Sequence, residues 1–162
     1  MNKKGQEEMV GFAVILVIVA IIFLIVIGFV LRKPHKSNIE SYEVESFLGA
    51  GLQYTTDCED YSEFMDIQRL VISCGENNLC LDGRNSCEVL NSTLNYLINA
   101  SWNVGEKSPI KGYNLEVNKL LGATKEKLLI LSKGNETVDS KGDFNEFSGK
   151  GKRYEVSLIL YS

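Results

Sequence analysis

The chain has 162 residues, of which 44% are hydrophobic, with 17 Lys and Arg against 21 Asp and Glu, a formal net charge of −4. An acidic chain without a basic patch is not built for nucleic acid, and the single histidine, His35, leaves no second one for a Ser-His-Asp or Cys-His arrangement. No HExxH, GxSxG, phosphate-binding loop or dinucleotide fingerprint occurs, so neither enzyme activity nor a cofactor is expected.

The first element lies in KKGQEEMVGFAVILVIVAIIFLIVIGFVLRKPHK, residues 3–36. Residues 1–8 are polar, and the 23 residues from Met9 to Leu31 carry no charge. As a helix that run would be ~34 Å long at ~1.5 Å per residue, against a hydrocarbon core ~30 Å thick. A transmembrane helix over 9–31, with the lipid bilayer as partner, is therefore expected. A cleaved secretory signal has an apolar region of only ~7–15 residues and a small-residue cleavage site behind it. Here Arg32, Lys33, Pro34, His35 and Lys36 follow instead.

The front edge, Lys3-Lys4-Gly5-Gln6, resembles the class III signal peptides of archaeal type IV pilin-like proteins. The resemblance covers roughly the first 30 residues. It implies that a prepilin-type peptidase cuts between Gly5 and Gln6 and that the apolar helix is retained. It implies further that the chain is a subunit of a surface filament or adhesion structure, packed against copies of itself. Pilins carry a Glu at the fifth mature position, where this chain has Val10; its acids are Glu7 and Glu8, the assembly candidates. Two other readings stay open. One is a permanently anchored ectodomain binding an extracellular partner. The other is an accessory subunit of a secretion or assembly machine.

Orientation is argued by opposing signals. Lys3 and Lys4 stand before the apolar run and Arg32, Lys33 and Lys36 after it, a small bias toward a C-terminal part inside the cell. Four cysteines within 30 residues and three N-x-[ST] sequons, at Asn91, Asn99 and Asn135, favour the outside. Together with the class III front edge they place residues 37–162 outside the cytoplasm, with the sequons as glycosylation candidates.

Residues 32–56 read as a stalk. Pro34 disfavours helical backbone at Lys33, and Val44, Phe47, Leu48 and Leu52 then recur at helical spacing, predicting an amphipathic helix over Asn38–Leu52. Glu40, Glu43 and Glu45 sit near its start, where the helix dipole favours acids.

Residues 57–162 form the outer domain. Asp60 with Glu63 resembles a capping box, followed by an apolar face of Tyr61, Phe64, Met65, Val71 and Ile72 and a stop at GENN, Gly75–Asn78. Asn85 with Glu88 opens a second helix, with Leu90, Leu94, Leu97, Ile98 and Trp102 as its stripe. The spacing C-x15-C-x5-C-x6-C lacks the close pairs of zinc sites, so Cys58, Cys74, Cys80 and Cys87 are expected in two disulfides. A helix over residues 60–73 would hold Cys58 and Cys74 ~24 Å apart, far beyond the ~7 Å a disulfide allows. A helical hairpin favours Cys74–Cys87 with Cys58–Cys80; Cys74–Cys80 with Cys58–Cys87 stays open.

After Trp102 the period changes to two. Gly112–Asn118, Leu128–Leu131 and Arg153–Tyr161 read as strands of a small antiparallel sheet. Ser132–Lys152 reads as an exposed loop or loose hairpin, with Phe144 and Phe147 tucked against the sheet edge or kept for a partner. The fold expected is α+β: a transmembrane helix, a disulfide-tied helical hairpin and an antiparallel sheet.

Overall fold

The structure, a computed structural model, describes residues 14–27, 41–122 and 124–162. Lys3, Lys4, Gly5, Gln6, Glu7 and Glu8 lie outside the described residues, as do 9–13 and 28–31 of the expected span. The chain divides into two units between Lys36 and Ser37.

The first unit contributes helix α1, described over 14–27, whose apolar side chains are exposed on every face. The expected membrane span is corrected here. No helix among the described residues is long and apolar enough to cross a membrane.

The second unit runs α2 (Ser41–Leu52), β1 (Thr55–Glu59), β2 (Phe64–Asp66), α3 (Ile67–Gly75), α4 (Ser86–Ser101), then β3 (Gly112–Leu121), β4 (Thr124–Gly134), β5 (Ser140–Gly149) and β6 (Lys152–Tyr161). The last four strands form an antiparallel sheet in the order β4-β3-β6-β5. Period-two alternation sends Tyr113, Leu115 and Val117 to one face, opposite Leu160, Leu158 and Val156 of β6. The helices cover that face. Val44, Leu48 and Leu52 of α2, Leu70 and Val71 of α3, and Leu90, Leu94 and Ile98 of α4 join the strand residues in one core. Each such side chain, fully buried, contributes about 1.5–3 kcal/mol relative to exposure. Trp102, which ends α4, lies against Phe47 with ring centroids 4.5 Å apart.

Two expectations about local structure change. The Asp60–Glu63 pattern does not start a helix. Asp60 Oδ1 accepts from the backbone N–H groups of Ser62 and Glu63 at 3.0 and 3.3 Å, closing the turn between β1 and β2. An Asx turn satisfies the same donors as a helix cap, so the two read alike in sequence. The helix starts later, at Ile67, where Asp66 accepts from the Arg69 N–H at 2.7 Å. The segment expected as an exposed loop or loose hairpin, Ser132–Lys152, holds β5 in full, the first arm of a regular hairpin with β6. β5 is an edge strand with most of its residues exposed, so its polar composition hides a regular ladder with β6.

Helix α3 is joined to the sheet at its C-terminus. Lys119, 8% exposed, donates from Nζ to the Gly75 carbonyl at 2.6 Å. Glu76 Oε1 accepts from Lys152 Nζ at 2.7 Å and from the Tyr154 hydroxyl at 3.2 Å. A Cβ on Gly75 would stand 2.6 Å from the Tyr154 ring, so this approach requires glycine. At the far end of β3, Gly134 has φ +80, and an added Cβ would meet the Lys111 carbonyl oxygen at 2.1 Å.

Gly134→Ala is expected to cost about 1–3 kcal/mol through left-handed backbone and steric conflict, measured as a lower denaturant midpoint at unchanged slope. The Lys152 ammonium above all, with Tyr154 and Lys119, holds the Glu76 carboxyl below the usual carboxylate range. A carboxyl with a depressed folded pKa stabilises the fold above its unfolded pKa, and that contribution disappears as pH falls through the folded pKa. The stability gap between wild type and Glu76→Gln should therefore be open at neutral pH and close on acidification; a gap independent of pH would refute the ion-pair account.

Candidate functional surface

The cysteines fix one surface. Cys74 lies in the last turn of α3 and Cys87 in the first turn of α4; they are bonded, with Cα atoms 4.7 Å apart. Cys58 of β1 is bonded to Cys80, Cα atoms 5.2 Å apart. This is the pairing that the hairpin geometry favours, and it leaves no free thiolate among the four for a metal. The loop between α3 and α4 is held at both sides. Leu81 N–H donates to the Glu59 carbonyl at 2.8 Å, and Arg84 bridges Asp57 and Asp82 at 2.7 and 2.6 Å. Asn85 caps α4 by accepting from the Cys87 N–H at 2.8 Å. The result is a cleft of about 800 Å³ whose rim carries Tyr61, Leu79, Leu81 and Lys150. Arg69 faces it but is paired with both Asp60 and Glu63. The Ser62 N–H, ahead of the Glu63 N–H and Arg69, holds the Asp60 carboxyl below its ordinary value, so the pair stays ionised near neutral pH.

A second cleft, of about 460 Å³, lies on the sheet face turned away from the helices. Here β3 presents Glu116 and Asn118, β4 presents Lys125 and Lys127, and β6 presents Glu155 and Ser157. Lys125 Nζ donates to both Glu155 carboxylate oxygens at 2.7 Å, and Lys127 Nζ donates to Glu116 at 3.3 Å. Burial opposes the charge on Glu116; hydrogen bonds from Lys127 and Asn114 outweigh it and hold the carboxyl below the usual range. Asn118 is 2% exposed and donates from Nδ2 to Glu155 at 3.3 Å. Its Oδ1 is the one buried side-chain oxygen or nitrogen among the described residues without a hydrogen-bond partner.

The two phenylalanines separate. Three positions apart on β5, they fall on opposite faces. Phe147 stacks on Tyr154 at 6.0 Å on the helix side, while Phe144 is 58% exposed on the wall of the second cleft. The sequons scatter. Asn91 is exposed on α4; Asn99, also on α4, donates to the Asn95 carbonyl at 2.7 Å and accepts from Lys133 at 3.0 Å; Asn135 is exposed just after β4.

Sequence reasoning missed the second cleft. The alternation that placed Tyr113, Leu115 and Val117 inside also places Asn114 and Glu116 on the opposite face, so half the signal was present. The register shift after Val117, which brings Asn118 opposite Lys127, had no mark in the sequence. No protein-family model matches this chain, and neither curated proteins nor solved structures include one similar to it.

Replacing Cys74 and Cys87 together by serine should cost about 2–4 kcal/mol, read as a lower thermal midpoint. Thiol labelling of the denatured, unreduced native protein should find no free cysteine; four free thiols would refute the stapled surface.

Proposed function

We propose that this chain is a non-enzymatic, type IV pilin-like subunit of an extracytoplasmic filament or adhesion structure. The observation that carries the reading is α1. Its Val, Ile, Leu and Phe side chains are exposed all round, a surface of a kind that soluble monomers rarely leave uncovered. Copies of the same helix side by side would cover it on every side, and a single groove on one partner would not. The Lys3-Lys4-Gly5-Gln6 pattern just before it supports retention of this helix after processing by a prepilin-type peptidase. The two disulfides support placing the second unit outside the cytoplasm, where such bonds persist.

Assembly brings charge into an apolar setting. Cleavage after Gly5 creates an amine on Gln6, and an unpaired charge buried between helices is costly. Glu8 is the acid we assign to neutralise it on a neighbouring copy.

Mass spectrometry of the native protein should find a mature N-terminus at Gln6, and electron microscopy of sheared surface material should find filaments containing the chain. Glu8→Ala should abolish the filaments and leave the cleavage intact. Intact Met1–Gly5 on most of the native protein, or normal assembly of the variant, would sink this reading.

A further inference from the structure

The geometry of the outer-face cleft points to a binding site for a neutral sugar ring. This goes beyond the filament reading and does not depend on it.

Charge narrows the ligand first. Glu116, Glu146 and Glu155 face Lys125 and Lys127, so the cleft carries three acids and two bases. The acidic surplus disfavours an anion such as a phosphate or a sialylated glycan. Lys125 Nζ lies on both oxygens of Glu155 and Lys127 Nζ on Glu116, and two ammonium groups so close repel a divalent cation. What remains is an uncharged ligand that satisfies donors and acceptors in alternation.

Vicinal hydroxyls do this, since each can donate one hydrogen bond and accept others. Carboxylates accept from them, ammonium groups donate to them, and the Ser157 hydroxyl does either. The Asn118 Oδ1 adds a specific reason to expect a donor. A buried carbonyl oxygen without a partner costs free energy, and a ligand hydroxyl recovers part of it once the Asn118 side chain turns that oxygen toward the cleft. The exposed ring of Phe144 gives the remaining element, an apolar wall against which the C–H face of a pyranose lies. Glu146 stands directly opposite Glu155 across β5 and β6; Lys125 neutralises Glu155, which leaves the Glu146 carboxylate as an acceptor for hydroxyl donors. The cleft is of the size class that small-molecule sites occupy.

The test is saturation-transfer NMR on the full chain with the methyl glycosides of glucose, galactose, mannose and N-acetylglucosamine. Transfer to the ring protons of at least one is expected. Phe144→Ala and Phe144→Leu should each weaken it roughly threefold to tenfold, and Tyr61→Ala, on the other cleft, should leave it unchanged. The leucine variant keeps an apolar side chain, so it reports on the ring even where alanine disturbs the edge strand. No transfer to any of the four, undiminished transfer in both Phe144 variants, or loss in Tyr61→Ala would overturn the assignment. A calcium titration that shifts the Glu116, Asn118 and Glu155 resonances would also overturn it, because the cleft would then be an ion site. None of these readouts requires cleavage or filaments, so this inference and the filament reading fail separately.

Discussion

A buried lysine must find an acceptor, and in this domain that need joins the helical layer to the sheet. Lys119 points from β3 toward the helices, where an unpaired ammonium would cost several kcal/mol. The last carbonyl of α3 accepts a hydrogen bond from Lys119 Nζ at 2.6 Å, and a helix C-terminus carries the partial negative charge that suits a cation. Gly75 lets the backbone come close enough, and Glu76 then gathers Lys152 and Tyr154. With α3 anchored there, Cys74 is held beside the start of α4, and the disulfide to Cys87 transmits the position of α3 to the second helix. The apolar core fills the layer so defined. It does not by itself explain why α3 stops where it does.

Legibility followed the strength of local signals. The stripe Leu90, Leu94, Ile98 and its cap at Asn85 were visible because helix period and cap chemistry agree there. So were the alternating faces of β3 and β6, where a buried and an exposed side force a period of two. β5 was not, because an edge strand of Gly, Asp, Asn, Ser and Lys lacks apolar alternation. The Asp60 turn was misread because an Asx turn and a helix cap use the same side-chain oxygen. The apolar run at the front was read as a span from its length and its lack of charge, whereas no helix among the described residues is long and apolar enough to cross a membrane.

The two clefts differ in how the fold makes them. The disulfide-side cleft is built from loops set against one face of α3, and it keeps its shape through covalent bonds and the Arg69 and Arg84 ion pairs. The outer-face cleft is built on four adjacent strands, whose ladder sets side-chain positions without cross-links. Charge pairs between exposed groups are worth little in water, so Lys127 on Glu116 can yield to a ligand at small cost. Strand-borne side chains are also held more rigidly than loop-borne ones, which favours selective contact over adaptable contact.

Strand order has a consequence for how this domain is made. β6 is the last strand in the chain, yet it lies between β3 and β5, and Gly112 pairs with Tyr161 across the whole sheet segment. Until β6 is present, β5 has no neighbour to bond with and β3 has an open side. The polypeptide therefore emerges as helices and a β3–β4 hairpin, with its central apolar strand surfaces uncovered until β6 arrives. Such an intermediate is slow to close, because its decisive contacts are distant in sequence, and it is vulnerable to pairing with other nascent chains. Contact between nascent chains before synthesis has reached Tyr161 therefore meets the open side of β3, and keeping such chains apart until β6 is made favours the native pairing.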